Sequence, residues 1–208
     1  MTDQSRRNLL FTGASLFALS GCSGLHLLEP SQDLGKMYVL SPDLPSVAGA
    51  RRPSWQMAVA QPEAPSSLST DRIAIRRAEE MDYYANAQWT DAAPKLLQTL
   101  FVQALEKNGA NAASDLAGIH ADYILQSELR TFEARYNNGD APPTIIVDVT
   151  VKLMTAHTGA ITASHNFHLE QPASANNVAA AVAAFDQAVA ALLGQIVPWV
   201  LDAAHQAR

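Results

Sequence analysis

Residues 145–153 read Ile145-Ile146-Val147-Asp148-Val149-Thr150-Val151-Lys152-Leu153. Ile145, Val147, Val149, Val151 and Leu153 alternate with Asp148, Thr150 and Lys152, the period of a strand with one dry and one wet face. The segments on either side repeat the pattern. Before it, Tyr123, Leu125 and Leu129 alternate with Gln126, Glu128 and Arg130. After it, Ile161, Ala163, Phe167 and Leu169 alternate with Thr162, Ser164, Asn166 and Glu170. Turn residues separate the three, Asn137 to Pro143 first and His157-Thr158-Gly159 second. Three period-2 segments in series predict an antiparallel meander.

The dry face of that meander needs a cover. From about Asn176 to His205, Val178, Val182, Phe185, Val189, Leu192, Ile196 and Val200 recur at helical spacing. The alanine-rich stretch 179–191 lets this helix approach a sheet closely, and Pro198 predicts a kink near its end. A second helix is expected from Thr90, with Thr90 as cap and Pro94 in the first turn. Leu96, Leu97, Leu100, Phe101, Ala104 and Leu105 form its stripe, and Asn108-Gly109 ends it. Shorter extended segments are expected at Lys36 to Leu40, Trp55 to Ala60, Arg72 to Arg77 and Glu79 to Ala85, with proline-bearing loops between the first three. The expected fold is therefore α/β: a single domain whose mixed or antiparallel sheet carries a three-stranded C-terminal meander packed against two main helices.

The N-terminus has a different character. Arg6 and Arg7 precede a short apolar stretch, Leu9 to Ala18, and then comes Leu19-Ser20-Gly21-Cys22. This is the pattern of a lipoprotein signal peptide, with Leu19, Ser20 and Gly21 as the lipobox and Cys22 as the lipidated residue. Acyl chains contribute about 0.8 kcal/mol per buried CH2, so two or three of them anchor a protein stably. Ser5 to Leu10 fits either a twin-arginine or an ordinary export signal. Serine rather than aspartate at position 23 leans toward the outer membrane. The expected division is signal peptide 1–21, lipidated tether 22–35 and folded domain 36–208. The only apolar run long enough to interest a membrane is expected at the N-terminus.

Composition narrows the function. The 208 residues are 48% apolar and 16% charged, with a formal charge of -6 and one cysteine. An acidic chain without a basic block is a poor nucleic-acid partner. A single cysteine excludes an intramolecular disulfide and a cysteine-based zinc cluster. His165 and His168, three apart on a strand, point to opposite faces and cannot chelate together. His157 lies in a turn and His120 precedes a strand. No nucleophile elbow and no phosphate-binding glycine loop occurs. Neither catalysis nor a cofactor or metal is expected. Glu79, Glu80 and Asp82 form an acidic knot beside Tyr83, Tyr84 and Trp89. Arg72, Arg76 and Arg77 stand ready to pair with those acids or with a partner's.

Three stretches together resemble a known family: Tyr38-Val39-Leu40-Ser41-Pro42, Asp71-Arg72-Ile73-Ala74-Ile75-Arg76, and Tyr83-Tyr84-Ala85-Asn86-Ala87-Gln88-Trp89 running into the helix. In that order after a lipobox, over roughly residues 37–203, the chain resembles the ABC-type transport auxiliary lipoproteins, the PqiC-like proteins. The resemblance implies a non-enzymatic periplasmic accessory tethered to the outer membrane. Its implied partner is an MCE-domain protein of a lipid transporter with its permease and ATPase. It also makes homo-oligomers plausible. Arg76, Tyr83, Tyr84 and Trp89 are the expected partner-binding residues. The alternative is an independent periplasmic lipid-binding or chaperone lipoprotein, which would need a sizeable apolar cavity.

Overall fold

The apolar face of 145–153 is fully buried: Ile145, Val147, Val149, Val151 and Leu153 are each 0% exposed in the computed structural model. That model describes residues 35–207 apart from 50, 51, 138 and 140. The signal peptide, the lipobox residues Leu19, Ser20 and Gly21, and Cys22 lie outside the described residues.

In chain order the elements are β1 (Lys36–Tyr38), β2 (Gln56–Val59), β3 (Arg72–Arg77), β4 (Glu80–Trp89), α1 (Ala93–Lys107), β5 (Asn111–Ser114), a 3-10 turn (Asp115–Ala117), β6 (Tyr123–Tyr136), β7 (Thr144–Thr155), β8 (Ile161–Pro172) and α2 (Val178–Gln206). The expected meander is β6–β7–β8, antiparallel throughout. Among the described residues, β6 is the hub of a mixed sheet of eight strands. One of its edges runs the length of β7. The other edge takes β2 in parallel at Tyr123–Leu125 and β3 in parallel at Ala134–Tyr136. β5 extends the β2 end, and β4 and then β1 extend the β3 end.

Two register shifts decide which side chains face the core. In β6 the shift falls between Leu129 and Thr131. The core-facing residues are Tyr123, Leu125 and Leu129 before it and Phe132, Ala134 and Tyr136 after it, and all six are buried. The extra residue changes the parity of the strand without changing its buried face. This is why plain alternation stops at Arg130 while the strand continues to Tyr136. In β8 the shift has the opposite result. Ala163 pairs with Leu153, but Ile161 pairs with Met154, on the far face. Ile161, expected with Ala163 and Phe167, is therefore turned outward and 55% exposed.

The core fills the space between sheet and helices. α2 lays Val182, Phe185, Val189, Leu192, Ile196 and Val200 on β7 and β8, and Ala181, Ala184 and Ala188 are buried in the same seam. Asn177 caps it, its side-chain oxygen accepting the Ala180 N–H at 2.9 Å. Pro198 stays inside the helix. α2 is long and apolar enough to cross a membrane by length and composition. The expectation that the N-terminal run stood alone in this respect is corrected: α2 needs that apolarity because it is the core helix. α1 packs beside α2 and against β2 and β5.

Three local expectations also change. α1 begins two residues later than a Thr90 cap would start it. Ala92 holds the cap position without a side-chain bond. Asp91 instead accepts the Ala92 N–H and pairs with Lys95 at 2.8 Å. β4 runs on to Trp89 because Asn86, at φ 53°, lets it bulge and resume pairing at Gln88. β5 and its 3-10 turn are additions to the expected elements, because Asn111-Ala112-Ala113-Ser114 has no apolar alternation.

Candidate functional site

The four expected partner-binding residues sit on β3 and β4, and the fold separates them. Trp89 is a core residue. It is 1% exposed, its ring stands at 90° to Phe185 with centroids 5.2 Å apart, and Phe132 lies 6.0 Å away. Trp89 therefore leaves the partner-binding set: a side chain in that aromatic triad offers no surface.

Arg76 lies on the face of the sheet opposite the helices. Its Nε stands 3.1 Å from a Glu133 carboxylate oxygen, and Arg135 Nη2 stands 2.9 Å from the same oxygen. The Glu133 side chain is 2% exposed, and both arginine side chains are 36% exposed. Two guanidiniums thus clamp one buried carboxylate, and their outer edges remain available to water or to an acidic partner group. The acidic knot is not their counter-ion. Arg72 stacks on the Tyr83 ring at 3.8 Å, and Arg77 on the Tyr136 ring at 4.7 Å.

Tyr83 is opposite Ala74, on the same side of β3 as Arg76. Its hydroxyl donates to the Ser67 carbonyl at 3.1 Å. Tyr84 turns the other way, its hydroxyl 2.7 Å from that of Tyr136. Burial first, and the Tyr136 hydrogen bond second, push the Tyr84 hydroxyl far above the usual tyrosine range. It stays neutral at any physiological pH and acts as a strut between β4 and β6. The structure therefore brings Arg76 and Tyr83 to one side and assigns Tyr84 to the other.

Glu133 and Arg135, not singled out in the sequence, complete the Arg76 cluster. A signal was present. The run Phe132-Glu133-Ala134-Arg135-Tyr136 alternates apolar with charged, one residue out of phase with the first half of the strand.

Across the same sheet face, His168 Nδ1 lies 3.0 Å from Asp148 Oδ2 and its Nε2 lies 3.3 Å from Glu170. The Asp148 hydrogen bond, then that of Glu170, raises the ring above the ordinary 6.5. His165 faces the other way, 4.6 Å from Phe167, so the two histidines do not converge. Among the described residues no group of three or more His, Cys, Asp or Glu could hold a metal ion. A proton NMR titration should place the His168 midpoint above 6.5, and Asp148→Asn should bring it down. The sign follows from linkage. A raised folded-state value gives stability that is full below the unfolded value and is lost as pH rises through the folded one. An unshifted midpoint would show that the Asp148 contact does not persist in solution.

Comparisons with known proteins now bear on this geometry. A family model described as the ABC-type transport auxiliary lipoprotein component matches residues 38–197, from the end of β1 well into α2. A crystal structure of a Xanthomonas campestris protein, from a family labelled DUF330, is 28% identical. It superposes with a TM-score of 0.77, covering 83% of this chain and 98% of that one. A second crystal structure, 18% identical, has a TM-score of 0.63 over 79% of this chain and 97% of its own, and shows the fold alone. A protein of Bradyrhizobium diazoefficiens is 26% identical over 156 residues, which is 73% of this chain. The match spans 41% of that relative's own length.

Proposed function

This chain belongs to the family of ABC-type transport auxiliary lipoprotein components, and on that premise we propose that it is a non-catalytic accessory that holds part of an envelope lipid transporter in place. The observation that carries the reading is the family match running through the whole β1-to-α2 body. The lipobox ahead of it supplies the anchor. Cys22 carries the acyl chains, and Ser23 directs the protein to the outer membrane. Its periplasmic partner is an MCE-domain protein with its permease and ATPase. The docking side is the sheet face away from the helices, where Arg76, Arg135 and Tyr83 present half-exposed polar edges above an already neutralised carboxylate. Electrostatic complementarity there sets orientation and on-rate more than raw affinity.

The test is affinity purification of the tagged full chain from detergent-solubilised envelopes, with mass spectrometry of the eluate. Recovery of an MCE protein with its permease and ATPase is expected from the wild type. Tyr83→Ala should reduce recovery several-fold, and Cys22→Ser should abolish both palmitate labelling and recovery of the transport proteins. An eluate free of transport proteins would sink the reading. Lipid stoichiometrically bound to the purified protein would favour the independent lipid carrier. Such a carrier has a place to start from in the open groove of about 640 Å³ that Trp55, Pro198, Leu201 and His205 help to line.

A further inference from the structure

β8 is an edge strand of twelve residues, and among the described residues it pairs with β7 alone. Edges of that length are normally blunted by lysine, by proline, by bulges along the strand or by a covering element. β8 has no lysine or arginine, its one acid, Glu170, pairs with His168 near the far end, and its proline is the last residue, Pro172. Its one register shift lies at the first residues, and from Ala163 to Pro172 the ladder to β7 is regular. A groove of about 470 Å³ runs beside the start of this edge, between β8 and the last two turns of α2. Thr162 and Ala163 form one wall, and Trp199, Asp202, Ala203 and Gln206 form the other. The Trp199 ring stands edge-on to Phe167, with centroids 5.8 Å apart.

An edge strand with a helix alongside and a groove between them is how strand-adding peptide receptors are built. The backbone ladder supplies affinity, and the groove selects alternate side chains. We infer that the β8 edge and the β8–α2 groove receive an extended segment of a partner polypeptide. That segment pairs its backbone with β8, drops an aliphatic side chain between Ala163, Ala203 and Trp199, and sets a lysine or arginine against Asp202. The occupant is an extended chain because what β8 offers is a row of peptide groups, which an acyl chain cannot pair. It is basic at that point because, among the described residues, Asp202 is the one ionisable side chain lining the groove. This surface lies on β8 and α2, away from the Arg76 cluster on β3, and the inference does not depend on the transport reading.

The test pans a phage-displayed library of random decapeptides against the full chain in detergent. Enriched sequences should alternate aliphatic residues and carry a lysine or arginine. A synthetic peptide of the winning sequence should slow amide hydrogen exchange across residues 163–169. Ala203→Arg, which fills the groove, should weaken its binding at least tenfold. Asp202→Lys, at an exposed position, should exchange the basic preference for an acidic one, and it decides the matter should Ala203→Arg melt early. No enrichment, protection confined to another segment, or unchanged affinity in both variants would overturn the inference. So would sedimentation showing a dimer that Ala203→Arg dissociates, which would make the occupant a second copy of this chain.

Discussion

Trp89→Ala is expected to lower the unfolding free energy by about 3–5 kcal/mol, the usual cost of truncating a buried aromatic. At a domain of this size that is a fall in Tm of roughly 10 °C. Trp89 is the residue where β4 hands the chain to α1, and its ring fills the space between Phe132 of β6 and Phe185 of α2. Removing it leaves a cavity between three elements that no small rearrangement can close. Its indole Nε1 is buried without a hydrogen-bond partner, so Trp89→Phe removes an unsatisfied donor along with some volume. That variant should cost clearly less than the alanine one. Thermal and urea melts of the pair check this. Equal losses would mean that the indole N–H is satisfied in solution. A Trp89 variant would therefore lose a partner by losing its fold.

The second large effect is expected at the Arg76–Glu133–Arg135 cluster, and it is asymmetric. The double variant Arg76→Met/Arg135→Met leaves the Glu133 carboxylate buried with neither guanidinium. Stranding a buried charge costs about 3–5 kcal/mol. Glu133→Gln should cost much less, about 1–2 kcal/mol, because both arginine side chains are 36% exposed and can turn to water. Each single arginine variant should fall well short of half the double, since the remaining guanidinium still holds the carboxylate. Urea melts of the four proteins measure this. Additive arginine effects would show that the two guanidiniums act independently and that Glu133 is not their shared anchor.

The meander, its turns and the α2 stripe were legible because they rest on local periodicity. Val147, Val149 and Val151 announce a buried face whatever surrounds them, and so do Val182, Phe185 and Val189. Irregular pairing was harder to read. The β6 shift hid the second half of its own strand, and with it Glu133 and Arg135. The β8 shift put Ile161 on the wrong face. Both follow from one property: a period-2 pattern loses its phase at a single extra residue, and only the partner strand shows where that residue lies.

The three motif stretches identified the family correctly, yet they did not sort their residues by role. Tyr83, Tyr84 and Trp89 look alike in a list of aromatics. One stacks under Arg72, one hydrogen-bonds to Tyr136, and one is core. The three arginines looked like partners for Glu79, Glu80 and Asp82, but the fold gave Arg76 a carboxylate 57 residues away and gave Arg72 and Arg77 aromatic rings.

By itself, then, the sequence determined the fold class and the buried face of the regular strands, because periodicity acts over a few neighbouring residues, and its three motif stretches carried the family resemblance. The tertiary structure alone decided which aromatic is core, which acid neutralises Arg76, and that β8 pairs with β7 alone among the described residues. Those are contacts between residues far apart in the chain, and their geometry exists only once the strands have chosen their neighbours.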